Sequence, residues 1–312
     1  MSLYNVFKNL TLASGCLLLM IGCSGEPEAP DVSFGVDGID LARLEHEQPL
    51  TDAELSRITP ENLTALSQEQ VDQIYGRLAA GTIPDGAFDG ALFFPQGVDG
   101  QSRVAEIISG RLRTYEFAAE DDSLRMRIRQ RLGAKIADFK LARIENMGAA
   151  LWKGKVFFRD PTTAQPSAVL RNRIEDKALI RLILRNENAE IMARPDVEDE
   201  NLFFPAKVYC GQSLLDGRRE SIIIDYAFSD ELPGYVHKLD RLAGRAGLQI
   251  RDEIRMVRPG LYLGRAYIAR AFALNFTLYN KELDMAGQDS SSPVEDCYIG
   301  PQRAAMKLAQ AR

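Results

Sequence analysis

Residues 250–280 read IRDEIRMVRPGLYLGRAYIARAFALNFTLYN, and the fold is decided here. Apolar and polar side chains alternate with a period of two, the spacing of strands that bury one face. Pro259-Gly260 supplies a tight connection between two such strands. Along 272–279, Phe272, Leu274, Phe276 and Leu278 share one face, and Ala273, Asn275, Thr277 and Tyr279 share the other. Along 250–257, Ile250, Ile254 and Met256 face one way, opposite Arg251, Glu253 and Arg255. The same parity carries Asp252 to the apolar side. A buried carboxylate needs a partner or a proton, so Asp252 is a candidate polar group inside a cavity. Its alternative is an internal ion pair, with an arginine such as Arg173 or Arg265, that only fixes the sheet.

Working outward, segments near 154–158, 168–174, 178–184, 206–215, 219–228, 250–257, 261–270 and 272–280 are rich in Val, Ile, Phe and Tyr. Asp216-Gly217 marks a hairpin. Residues 229–247 interrupt the series with helical spacing at Tyr235, Leu239, Leu242 and Ala246. About eight strands with short links predict an antiparallel meander over 151–285. Closure into a lipocalin-like β-barrel would remove its exposed edges. Ahead of it, 46–150 reads as helical. Ser67-Gln68-Glu69-Gln70 has the spacing of a capping box and Val71, Ile74, Tyr75 and Leu78 follow it, while Thr59-Pro60 opens a shorter helix. Ile83-Pro84-Asp85-Gly86 and Asp89-Gly90 read as turns around the apolar run 91–94, and 103–150 returns to helical spacing. The fold class is therefore α+β: an N-terminal helical layer, then an antiparallel barrel of about eight strands.

An eight-stranded barrel is either filled by side chains or open to one small ligand. Bulky inward candidates (Met256, Phe272, Leu274, Phe276) mix with small ones (Gly264, Ala266, Cys210), which suits either state. Tyr226 and Tyr262 join Asp252 as candidate polar groups of a cavity, and the four bulky residues are its candidate apolar lining.

The first 22 residues have the pattern of an export signal, with Lys8 ahead of an apolar run from Leu10 to Ile21. Met20-Ile21-Gly22-Cys23 resembles a bacterial lipobox, which predicts acylation of Cys23 and attachment to a membrane through N-terminal acyl chains. Residues 23–45 have tether composition. Ser24 in place of an aspartate favours the outer membrane, facing the periplasm, with the inner membrane as the alternative. Cys210 and Cys297 are then left as a disulfide candidate in an oxidising compartment, or Cys210 is a small buried residue. Residues 286–312 form a tail carrying Cys297.

The 312 residues are 46% hydrophobic and 26% charged, an ordinary globular balance. A formal charge of −6 offers no basic footprint for nucleic acid. With two histidines (His46 and His237) and four cysteines, no metal site, catalytic set or cofactor is predicted. No GxSxG, HExxH, GxGxxG or P-loop pattern occurs.

Lys153-Gly154-Lys155-Val156-Phe157, LRNRI at 170–174, Lys207-Val208-Tyr209, SLLDG at 213–217, IIDY at 223–226, IRDEIR at 250–255 and PGLYLG at 259–264 form an ordered series. On these motifs the chain resembles, over about residues 83–280, a family of bacterial proteins of unassigned biochemistry. It departs from them in its lipobox, its N-terminal helical extension and a longer insertion at 229–249. In size, lipidation and barrel plan it is also similar to envelope lipoproteins of marine bacteria that accompany fatty-acid-transporter-type channels in alkane uptake. That likeness implies an outer-membrane channel as partner. Three functions follow as expectations. The first is a tethered carrier of an apolar small molecule such as a lipid, fatty acid or hydrocarbon. The second is a structural envelope lipoprotein. The third is an enzyme using Asp252 or Glu253 with Tyr226 or Tyr262.

Overall fold

Three short helices open the described chain, and each starts as its sequence dictates. Thr51, Thr59 and Ser67 accept a backbone N–H from the third residue of α1 (Asp52–Leu55), α2 (Pro60–Leu63) and α3 (Gln68–Arg77), and Glu54, Asn62 and Gln70 reciprocate. The computed structural model describes residues 47–95, 97, 100, 103–104, 106–108, 152–160, 167–174, 201–287 and 296–297. All belong to one compact unit, Leu41–Arg312. The signal and tether with Cys23, the segment 178–184, most of 103–150 and most of the tail lie outside the described residues.

Eight strands follow: β1 (Gly86–Phe93), β2 (Trp152–Asp160), β3 (Ser167–Ile174), β4 (Asn201–Gln212), β5 (Glu220–Asp225), β6 (Ile250–Arg258), β7 (Leu261–Ile268) and β8 (Ala271–Tyr279). Each pairs antiparallel with the next, and β1 pairs with β8 to close the barrel. The closing seam runs from Asp89 opposite Tyr279 to Phe93 opposite Asn275. Strand β1 corrects the sequence reading, which took 83–94 as turns around a short apolar run within a helical region. Its eight residues, GAFDGALF, hold two glycines and an aspartate, so no propensity signal marks them. Pairing on both edges holds them extended.

The segment 229–247 is likewise not one helix. It holds the end of a 3-10 helix (Tyr226–Glu231) and a single helical turn, α4 (His237–Asp240). Pro233-Gly234, Gly244 and Gly247 break the apolar spacing that suggested more. Asp240 pins this segment to the barrel by accepting the backbone N–H of Phe204 (2.8 Å) and of Val236 (2.7 Å). A last helix, α5 (Lys281–Gly287), follows β8. Among the described residues no helix is long and apolar enough to cross a membrane.

Alternation sorts most of the buried side chains between an inner and an outer cluster, with a smaller third one at Val104, Ile108, Leu248, Ile268 and Ala273. Inside the barrel, Phe88, Phe157, Leu170, Val208, Ile222, Ile224, Ile254 and Leu278 form the main core. Outside it, Val257, Leu261 and Leu263 pack beneath Leu63, Val71, Tyr75 and Leu78 of the helical layer. Arginines fasten that layer: Arg219 and Arg255 donate to the carbonyls of Tyr75, Gly76 and Leu78 at the C-terminal end of α3, where a helix runs out of backbone donors for its last acceptors. Arg258 binds the Leu55 and Ile58 carbonyls and pairs with Asp284 of α5.

One end of the barrel is plugged. The Met256 N–H donates to the Ala80 carbonyl and the Tyr262 hydroxyl to that of Thr82 (2.7 Å). Asp296 accepts from the Ile83 N–H and pairs with Arg159. Cys297 is disulfide-bonded to Cys210, 87 residues earlier. The barrel is thus packed at this end and open inside at the other.

Candidate functional site

The open half begins where β2 breaks its register. Between Trp152 and Gly154 the pairing with β3 slips, and Gly154 takes φ +134°, a conformation that L side chains rarely adopt. This bulge adds a residue, so Trp152 and Lys155, three apart, both face the interior. Lys155 lies opposite Asn172 on β3. From there its ammonium reaches across the barrel to β6, four strands away around the ring, and meets Asp252 Oδ2 at 2.9 Å.

The pair sits in a small polar network. Lys155 Nζ also donates to the Tyr226 hydroxyl (2.7 Å) and to Asn172 Oδ1 (2.8 Å). Trp152 Nε1 donates to the same Oδ1 at 3.0 Å. The Asn172 amide donates to the Phe204 carbonyl (3.1 Å) and to the Tyr226 hydroxyl (3.0 Å), which sets the orientation of the amide. The rings of Trp152, Tyr226 and Phe276 lie 5.4, 5.4 and 5.6 Å from Nζ, near enough to favour a cation. Burial works against the ammonium and is the largest single influence on it. Asp252 and Tyr226 together outweigh burial and hold the Lys155 pKa above the ordinary lysine value. Lys155 therefore stays protonated and is no nucleophile at neutral pH. Burial likewise pushes Tyr226 up to about 12, with Asp252 adding to the rise and Lys155 opposing it.

This network is the floor of a cavity of about 350 Å³. Below it lie the packed core and the plugged end. Above it the wall is apolar, from Leu92, Trp152, Phe204, Ile250, Leu274 and Phe276, and the mouth is rimmed by Val104, Ile108, Leu242, Leu248 and Ile268. In the packed half Phe88 meets Phe157 and Tyr262 edge to face, at 5.7 and 5.6 Å between ring centres.

Of the residues singled out by sequence, Asp252, Tyr226, Leu274 and Phe276 line this cavity. Tyr262 and Met256 point inward but belong to the plugged end, against Thr82 and Ala80–Gly81. Phe272 is outside. A second bulge makes Ala266 pair with Leu274 but Tyr267 with Phe272, so Ala273 takes the inward place. Phe272 stacks beneath the Arg265 guanidinium, 4.3 Å from its ring centre, and against Tyr267. Neither suggested arginine reaches Asp252: Arg173 pairs with Asp89, and Arg265 with Asp72 on α3. Glu253 lies on the outer face, fully buried, where it accepts from Ser213 Oγ (2.7 Å), the Leu214 N–H (2.8 Å) and Arg251. Of the groups suggested for catalysis, Asp252 and Tyr226 meet in the floor network, while Glu253 and Tyr262 lie elsewhere. His237 is exposed beside Tyr235, and no group of three metal-ligating side chains occurs among the described residues.

Sequence reasoning missed Lys155 and Asn172. Asn172 was legible, since it shares the parity of Ala168 and Leu170. Lys155 was not, because the bulge that turns it inward leaves only Gly154 as its trace. Comparison of the chain with protein-family models, curated proteins and solved structures finds no match.

Proposed function

We propose that this chain is a lipid-anchored envelope protein that carries an apolar small molecule, such as a lipid, fatty acid or hydrocarbon, in the open half of its barrel. The single observation that carries this reading is the walled apolar cavity above a closed polar floor. A packed barrel would serve a purely structural role equally well, and leaving this space unfilled forfeits packing. Burying an acyl or alkyl chain there recovers about 0.8 kcal/mol per methylene. At about 30 Å³ per water-sized group, the space suits on the order of ten heavy atoms. A lipobox at Cys23 would keep the carrier beside the membrane that loads or unloads it, and an outer-membrane channel is the partner that such a position suits.

Native mass spectrometry of the chain purified from its own envelope tests this. A retained small molecule, released on unfolding, is the expected result. A bare protein mass, together with no displacement of a fluorescent alkyl probe, would overturn the reading.

A further inference from the structure

Resting on the carrier reading, the count of donors and acceptors at the cavity floor narrows the cargo. All three ammonium hydrogens of Lys155 are engaged, by Asp252, Tyr226 and Asn172. Both amide hydrogens of Asn172 are engaged, by Phe204 and Tyr226, and the indole N–H of Trp152 is engaged by Asn172. The Tyr226 hydroxyl hydrogen has Asp252 Oδ2 at 3.3 Å and Asn172 Oδ1 at 3.4 Å as acceptors. Every bond that Asp252 makes in the network uses Oδ2. Its Oδ1 takes no hydrogen bond among the described residues, although the side chain is only 6% exposed and forms part of the cavity wall.

We infer that the cargo carries a hydrogen-bond donor, a hydroxyl on an apolar body, which binds Asp252 Oδ1. An ionised oxygen that faces an apolar-walled cavity with no donor from the described residues is an unused strong acceptor, and a charged acceptor forms the stronger class of hydrogen bond. An alcohol supplies that donor. Among the described residues that line the cavity, a carboxylate cargo finds no unengaged N–H or O–H to receive it, and it brings a second negative charge beside Oδ1. An ammonium cargo donates too, but it brings a second cation toward Lys155 in a site whose one positive and one negative charge already balance. A plain alkane leaves Oδ1 as it is.

Trp152, the only tryptophan in the chain, lines the cavity and reports occupancy by its own fluorescence. Decanol, decanoate and methoxynonane, the last an ether matched in size to decanol but lacking the donor, are titrated against the wild-type protein. Decanol is expected to bind about ten-fold or more tighter than either, as one charge-assisted hydrogen bond implies. Decanoate or methoxynonane binding as tightly as decanol overturns the inference while leaving the carrier reading in place. No response to any of the three removes the carrier reading itself. In Asp252→Asn, checked for folding by circular dichroism, decanol falls to the level of methoxynonane; an unchanged preference in the folded variant also overturns the assignment. Should that variant not fold, the wild-type comparison decides alone.

Discussion

At the scale of the residue, the centre of this protein is a charge pair that the barrel could have done without. Lys155 and Asp252 are both buried, and taking two ions out of water costs more than their attraction alone returns unless other bonds complete them. Tyr226, Asn172 and the surrounding rings complete the lysine; the aspartate keeps one oxygen for the cavity. This asymmetry predicts a particular pattern of stabilities. Lys155→Met strands a buried carboxylate and should cost about 3–5 kcal/mol in urea denaturation. Lys155→Met with Asp252→Leu should recover most of that loss, because two apolar side chains suit the surrounding wall. Equal or additive losses in the single and double variants would mean that the pair itself holds the fold. Asp252 was legible in the sequence because face parity is local. Its partner was not, since nothing local brings β2 opposite β6.

At the scale of the element, bulges decide which side chains see the cavity. The slip at Gly154 brings Trp152 and Lys155 inward together, and the slip before Tyr267 exchanges Phe272 for Ala273. Strict alternation handles Ile250, Asp252, Ile254 and Met256 well and fails one residue beyond a bulge, as a period of two must. Gly154 also lies tight against β1: a Cβ there would lie 2.0 Å from the Phe88 carbonyl oxygen. Gly154→Ala combines that clash with a disfavoured φ. It should destabilise the barrel by about 3 kcal/mol or more and shift Trp152 emission toward that of a solvated indole. Chemical denaturation followed by Trp152 fluorescence measures both. A substitution that leaves stability and emission unchanged would show the bulge to be dispensable. Gly264 makes similar room on β7, where the Phe276 ring lies over it.

At the scale of the molecule, the barrel is divided along its axis into a packed half and a hollow half, and each is closed differently. Residues 80–83 and 296–297 plug the packed end and the disulfide clamps them there, while the segment after α4 and Val104, Ile107 and Ile108 border the open end. The helical layer covers the outer face of β6 and β7. Its contacts give two of the outward arginines of 250–258 a role, since Arg255 and Arg258 bind carbonyls of the helical layer while Arg251 pairs with Glu253; the sequence by itself says only that they lie outside the core. The clamp makes a quantitative expectation. Cross-linking residues 87 apart should contribute about 4 to 5 kcal/mol in the loop-entropy model. Cys297→Ser should therefore lower the denaturation midpoint substantially and loosen the plugged end without abolishing ligand binding in whatever fraction stays folded. A midpoint that does not move, compared under oxidising conditions, would show the clamp to carry no stability.

What the sequence determined by itself was the local part of this design. A period of two over residues 250–280 established strands with one buried face, the parity of that period turned Asp252 inward, and the capping-box spacing of Ser67 with Gln70 and the Thr59-Pro60 pair started helices where the structure has them. These are properties of neighbouring residues, fixed by the geometry of a single strand or turn. Only the tertiary structure decided that Gly86–Phe93 closes the barrel, that Lys155 rather than an arginine meets Asp252, that Phe272 faces outward, and that half the interior is left open. Each of these depends on which strands meet and in what register, and register is set by bulges and by partners far away in the chain.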